Sequence, residues 1–404
     1  MTTAALADVK VVDLMWAIAG PAATRVLADY GATVVRIEST TRTDVCRTVA
    51  PFRDLPPGPE SAVLFHNVNT GKRMMTLDLA SAEGREVFLD LVRWADVVTE
   101  AYTAGTMRTL GLDYDALRAV NPGIIMLSTC LMGQTGPLAA FAGFGNLSAS
   151  ITGFGNLCGW PDRAPAGPFG AYTDYVAPRF SLATILAALD HRRRTGEGQY
   201  IDLAQGEASI HFLTPAMLDY TVNGRIQAPT GNDDGEDAPH GVYPAAGSDR
   251  WVALAVRNDA QFAALAGVLG QSDLARDPRF ATAAARRQHR EALDALIADW
   301  TRQQDAHAAE RVLQDAGIAA AVCANSADMA ADPQLVHREH IRELSHPTYG
   351  TTPVEGSRFR LSRTPAVVTG AAPTLGRDNQ DVLTTILGYD EDRITELVIA
   401  GALG

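Results

Sequence analysis

The stretch VKVVDLMWAIAGPAATRVLADYGATVVRIE, residues 9–38, decides how the chain reads. VKVVDL (9–14) and TVVRIE (33–38) are short, apolar and β-branched, the pattern of strands. Between them Gly20–Tyr30 has apolar residues at helical spacing. A strand, a helix and a strand in so short a span make a βαβ unit, whose strands run parallel.

The alternation continues outward. TLDL (76–79) reads as a short strand or extended edge. Ser81, with Glu83 and the spacing Val87, Leu91, Trp94, opens a helix. DVVTEA (96–101) and GIIMLST (123–129) are further strands with a helix around Tyr114–Val120 between them. PRFSLATILAALDHRRR (178–194) is the clearest helix: Pro178 suits a first turn, and three arginines suit the carbonyl end. TGEGQ stops it and YIDLA (200–204) returns as a strand. Around 224–240, GRIQAPTGNDDGEDAPHG is rich in Gly, Pro and Asp and marks a boundary. A strand, RWVALAV (250–256), follows, then helices near 259–269, 286–302 and 306–316. After Ala320 the reading is loops and a closing helix near Asp378–Leu387. The expected organisation is a large α/β domain over 1–222, a smaller one over 223–320, and a return segment over 321–404 that completes the first.

Composition narrows the function classes. At 47% hydrophobic and 20% charged the chain is globular in type. Its formal net charge of −13 speaks against general nucleic-acid binding, which needs Lys and Arg against phosphates. Asp8, Lys10 and Asp13 interrupt the apolar N-terminus, and no run reaches the roughly 18–20 uncharged apolar residues of a membrane span. A cytoplasmic protein is expected. Cys46, Cys130, Cys158 and Cys323 are far apart and have no histidines at metal spacing, so neither a disulfide framework nor a metal site is expected. The P-loop, the G-x-G-x-x-G turn, the G-x-S-x-G elbow and H-E-x-x-H are all missing, and the glycines of GFGNLSASITGFG (143–155) fit none of them.

One carboxylate stands in an informative place. Asp174, in GAYTDYVAP, lies just before the helix expected from Pro178. The positive end of a helix and its unpaired N–H groups hold a carboxylate ionised, as a nucleophile requires. An ordinary capping aspartate would sit in the same place, and local sequence leaves both readings open.

GAYTDYVAPRFSLATILAALDHRRRTGEGQYIDLA resembles the segment of family III CoA-transferases that carries their catalytic aspartate. The likeness spans nearly the whole chain. The opening strand–helix–strand, the block from NTGKR (69–73) to Tyr102, LGLDYDALRAVNPGIIMLSTCLMGQTGP, APHGVYPAAGSDRWVALAV and ADPQLVHREHIRELSHPTYG follow in the family's order.

The resemblance implies transfer of coenzyme A from an acyl-CoA thioester to a free carboxylic acid, through a covalent intermediate on Asp174. For CoA it points to Ala19 and Gly20 in the first strand–helix turn and to Asn69, Lys72 and Arg73. Arg36 and Tyr102 are weaker candidates, with strand-edge and packing roles as their alternatives. A solvated surface pair is the alternative for Lys72 and Arg73. The resemblance also implies a Rossmann-like large domain, a smaller α/β domain and an interlocked homodimer.

Departures are visible. The usual E-N-F-x-P-G stands here as E-A-Y-T-A-G (100–105). A mobile glycine run of the formyl-CoA branch is reduced to GNDDGEDAPHG (231–241), and Ile18 replaces that branch's glutamine. Where the racemase branch has a histidine base this chain has Phe144. His66, His191 and His211 lie in other segments. Racemisation, or a catalytically weak acyl-CoA-binding relative, are the alternatives. Arg163 and Arg179 are candidates to hold a second substrate carboxylate.

Overall fold

Six parallel strands form the sheet of the larger of two units: β1 (Lys10–Leu14), β2 (Thr33–Glu38), β3 (Arg73–Thr76), β4 (Val97–Glu100), β5 (Ile125–Cys130) and β6 (Tyr200–Ala204). Their order is β3-β2-β1-β4-β5-β6. Successive strands step one way from β1 to β3 and the other way from β4 to β6, so the direction reverses between β1 and β4. The computed structural model describes residues 4–54 and 56–404. This unit takes the chain up to Asn156, Gly167–Gln227 and everything from Val336.

The two-residue period of the strands sorts their side chains to two cores. Val12 and Leu14 join Val35, Ile37, Phe88 and Leu91 on one face. Val9 and Val11 meet Leu27, Leu127, Ile185 and Leu189 on the other. A parallel sheet buried on both sides explains why its strands read as nearly continuous apolar runs.

The smaller unit comprises Leu157–Ala166 and Ala228–Leu335. Its antiparallel sheet, β7 (His240–Pro244), β8 (Trp251–Ala255) and β9 (Ala319–Val322), is ordered β7-β8-β9. Val252 and Leu254 pack on Phe262, Phe280, Leu293 and Ile297. The helix expected over 286–302 breaks at His289, which leaves helical geometry (φ −110°, ψ 29°) between Ala283–Gln288 and Arg290–Thr301.

Three other expectations need correction. The strand read at 76–79 is β3 at 73–76, moved three residues toward the basic pair. Its outer amides are capped by side chains, Met74 N–H on Asp378 Oδ2 (2.7 Å) and Thr76 N–H on Asn379 Oδ1 (2.9 Å), which closes this edge of the sheet. The long helix starts at Tyr172, not Pro178, so the proline is inside it and the Asp174 carbonyl loses its usual helical donor. Beyond Val336 the chain is not only loops and one helix. It forms the hairpin β10 (Ile341–His346) and β11 (Gly350–Glu355), and the last helix is Glu391–Ile399.

A buried ionic network fixes the turn after β1. Asp13 lies on the β1 face that otherwise carries Val9 and Val11, fully enclosed. Its Oδ2 accepts from Lys72 Nζ (2.8 Å) and Thr24 Oγ1 (2.8 Å), and its Oδ1 from the Met15 amide (2.9 Å). Lys72 Nζ also reaches the Pro21 carbonyl (3.1 Å), Thr24 Oγ1 (2.8 Å) and Asn69 Oδ1 (2.9 Å). Arg36 donates to the Met15 carbonyl (2.7 Å) and pairs with Asp44 and Glu38. Asp44 in turn accepts from the Ala17 amide (2.9 Å), which holds Ala17 in the left-handed region at φ 58°. Burial opposes the Asp13 charge, yet Lys72 and Arg36 hold its carboxyl below the usual range.

Lys72→Met removes one side of this network and leaves Asp13 short of a cation, so it should destabilise by about 3 kcal/mol or more. Arg73→Ala breaks only an exposed pair with Asp381 and should change stability by less than about 1 kcal/mol. Denaturant unfolding of the two variants checks the contrast, and equal shifts would refute it.

Candidate active site

Asp174 is the third residue of the Tyr172–Thr195 helix and is 5% exposed. No side chain caps this helix, and Asp174 in its first turn lies at the positive end of the dipole. The amide of Gly145, which opens the short Gly145–Ile151 helix, lies beside the carboxylate and favours its charged form. Thr173 Oγ1 donates to the Gly145 carbonyl (3.2 Å) and stitches the two helix starts together. A Cβ at position 145 would stand 2.7 Å from Asp174 Oδ1, so only glycine lets the backbone come this close. Burial pushes the Asp174 carboxyl up to about 6, against the Gly145 amide.

Asp174 forms part of the wall of a cavity of about 280 Å³ shared with Trp16, Ala19, Tyr102, Phe144 and Gln205. Among the described residues no Lys, Arg or His lines it. A second cavity of about 320 Å³ shares Trp16, Tyr102 and Thr103 with the first and extends to Arg42 and Asp78. The pair lies beyond the carboxyl ends of the strands that flank the reversal of strand order, where open parallel sheets bind ligands.

Tyr102 and Trp16 meet edge to face at 6.0 Å where the cavities join. The Tyr102 amide donates to Glu100 Oε2 (2.7 Å), so the strand end itself anchors the E-A-Y-T-A-G loop. Burial pushes the Glu100 carboxyl up to about 7, against the Tyr102 amide and Ser128, which favour its charged form. Arg42 lies over the Trp16 ring at 5.4 Å and is exposed on the wall of the second cavity.

Of the residues singled out by sequence, Ala19, Tyr102 and Asp174 come together at one cavity. Gly20 packs beneath the turn, where a Cβ would meet Met15 Sδ at 2.4 Å. Arg36, Asn69 and Lys72 are all buried within the network below that turn. Arg73 begins β3, at the opposite end of the strands from the cavities, and pairs with Asp381 (2.6 Å). Neither Arg163 nor Arg179 lines the Asp174 cavity; Arg179 bonds the Tyr175 carbonyl of its own helix.

Sequence reasoning missed Trp16, Arg42, Gly145 and Gln205. The first two lie close to the first strand–helix turn, and only the fold shows that they face a cavity. Gly145 falls in a glycine-containing stretch that matched no known pattern, and Gln205 directly follows the strand YIDLA.

Residues 6–379 match the model of CoA-transferase family III. The chain is 34% identical to the succinyl-CoA–D-citramalate CoA-transferase of Chloroflexus aurantiacus, over 97% of this chain and 96% of that one. It is 33% identical to the succinate–glutarate CoA-transferase of Agrobacterium fabrum, over 94% and 95%. A crystal structure of a CAIB/BAIF family protein from Brucella suis superposes with a TM-score of 0.88 at 33% identity, covering 96% of this chain and 100% of that one. A parallel α/β sheet with a cavity at its reversal point, and a sequence match of this extent, lead to one conclusion: the chain belongs to CoA-transferase family III and is an enzyme of that family.

Proposed function

We propose that this enzyme transfers CoA between an acyl-CoA and a carboxylic acid through a covalent intermediate on Asp174. The observation that carries the reading is a buried carboxylate, beside the Gly145 amide, in the wall of a cavity with no cationic side chain among its described residues. An Asp174 oxygen attacks the acyl carbon, the C–S bond breaks and CoA thiolate leaves a mixed anhydride. The thiolate attacks the Asp174 carbonyl carbon, releases the first acid and leaves an aspartyl-CoA thioester. The acceptor carboxylate attacks that thioester and again expels the thiolate. The thiolate then takes the new acyl group and frees Asp174. No step needs an external proton, in keeping with the absence of histidine among the described residues of this cavity. That absence also counts against racemisation.

The acyl and thioester end of the substrate is assigned to the Asp174 cavity, with Ala19 and Tyr102 at its edge. The nucleotide end is assigned to the adjoining cavity, where Arg42 offers the exposed cation for a phosphate. Gly20, Arg36, Asn69 and Lys72 serve CoA binding indirectly, by fixing the turn that carries Ala19, and Arg73 is left out of the set. Both relatives named above pair dicarboxylic acids in their names, so small dicarboxylates are the first acceptors to try.

The working form is proposed to be a homodimer, interlocked as the family resemblance implies. No residue of the Thr214–Asn223 helix is buried, and Phe212, Met217, Leu218, Tyr220, Val222 and Ile226 are all exposed around it. So much contiguous apolar chain asks for a partner. The four cysteines are free, and among the described residues no helix is long and apolar enough to cross a membrane.

Intact-protein mass spectrometry after incubation with acetyl-CoA, propionyl-CoA and succinyl-CoA tests the chemistry. The expected result is a CoA-sized adduct that hydroxylamine removes and that Asp174→Ala lacks. Turnover without any adduct, or an adduct that survives Asp174→Ala, would overturn the assignment.

The raised carboxyl of Asp174 makes a prediction with a definite sign. The nucleophile is the ionised form, so kcat/KM should fall about tenfold per pH unit below about 6. The same ionisation works against folding, because the folded state holds the Asp174 proton to higher pH than the unfolded chain does. Asp174→Asn removes that penalty and should stabilise the protein by about 2–3 kcal/mol above pH 6. The gain should vanish below about pH 4, where both states are protonated. Melting curves of wild type and variant across this range decide it, and a gain that does not vary with pH would refute it.

A further inference from the structure

Gln205 stands at the junction between β6 and the Gln205–Ile210 helix, and its main chain is tied down on both sides. Ser209 Oγ donates to its carbonyl (2.8 Å), and the next amide, Gly206 N–H, bonds the Leu131 carbonyl (2.9 Å). It lines the Asp174 cavity, is 7% exposed, and has a carboxamide oxygen closed to water with no hydrogen-bond partner among the described residues. A buried amide is ordinarily satisfied. A carboxamide whose oxygen has no partner, on a residue that lines a cavity, is free to turn toward a polar group of the occupant.

We propose that Gln205 is a catalytic contact of the acyl group, the side chain that holds the thioester carbonyl in line with Asp174. This rests on the covalent reading of Asp174 given above. A half-turn of the last side-chain torsion exchanges the two ends of the carboxamide, so Gln205 brings its N–H donor to a carbonyl oxygen as readily as its acceptor. When Asp174 attacks, the electron pair of the C=O bond moves onto that oxygen. It returns to re-form C=O as the C–S pair leaves with the thiolate. A donor placed on the oxygen stabilises the charge only while it is there, which lowers the barrier rather than tightening substrate binding. With no Lys, Arg or His among the described residues of the cavity, a neutral donor is also the kind that leaves Asp174 free of a competing ion pair.

The test compares full-length wild type, Gln205→Leu and Gln205→Glu with acetyl-CoA, propionyl-CoA and succinyl-CoA as donors and succinate as acceptor. Both variants keep roughly the size of glutamine and offer no N–H. The expected result is a loss of about a hundredfold in kcat, with KM and the affinity for free CoA within about twofold of wild type. The melting temperature of Gln205→Leu should equal or exceed that of wild type, since the amide it removes had an unsatisfied oxygen. A kcat within about threefold of wild type in both variants would overturn the proposal. So would a loss of activity that follows a lowered melting temperature and weakened CoA binding, which would mark a structural role. A wild type that turns over without an adduct on Asp174 sinks the covalent reading alone, and kcat still judges Gln205.

Discussion

The contact between Asp13 and Lys72 at the end of β1 is the constraint on which the site depends. A lone carboxylate inside an apolar β-sheet core is too costly to keep, so its position dictates that a cation reach it. Lys72, from the chain just before β3, does so, and its ammonium also lies within hydrogen-bond distance of the Pro21 carbonyl, Thr24 and Asn69. Arg36 from β2 then takes the Met15 carbonyl and Asp44, and Asp44 takes the Ala17 amide. Charges from three strands or their flanks thus converge below one turn. That turn presents Trp16, Ala17 and Ala19 to the Asp174 cavity. Ala17 is held in a conformation that alanine rarely adopts, which such a network can sustain and a bare apolar core could not.

The same economy of position governs Asp174. Two helix starts meet there, one carrying the carboxylate and the other bringing the Gly145 amide to it. The helix dipole and the amide favour the anion, while the dry surroundings oppose it, and burial prevails. Pro178 withholds the hydrogen bond that would otherwise tie the Asp174 carbonyl into the helix.

How much of this is legible in the sequence follows from where the information resides. β1, β2, β4 and β5 show as β-branched, apolar runs because both sheet faces around them are apolar, and local composition alone reveals that. Asp174 shows because a family's segment surrounds it. β3 is misplaced because its signal is spread between the basic pair and two methionines, and its edge is closed by Asp378 and Asn379 some three hundred residues away. Lys72 and Arg73 are adjacent and chemically alike, yet one is wholly buried and the other exposed. A strand turns neighbours to opposite sides, and only the partner at Asp13 says which side is inside. Gln205, Trp16 and Arg42 belong to the site through tertiary closeness, for which no local pattern exists.

Burial of a nucleophile looks at first like a poor arrangement, since it resists the charged form that must react. The opposition acts on one state only. Free Asp174 in the cavity carries a charge with little to solvate it, whereas the anhydride and thioester of the proposed cycle are neutral at that residue. Acylation of Asp174 therefore relieves a penalty that the folded protein has imposed in advance and moves the charge onto the thiolate, until the last step returns it to the carboxylate. A salt bridge to Asp174 would favour the free anion and deepen the well from which attack must start. Arg36, Arg47 and Lys72 are instead committed below the turn, to Asp13, Glu38 and Asp44. Keeping those charges paired beneath the turn keeps the chamber above it free of them, and the reactivity assigned to Asp174 depends on that separation.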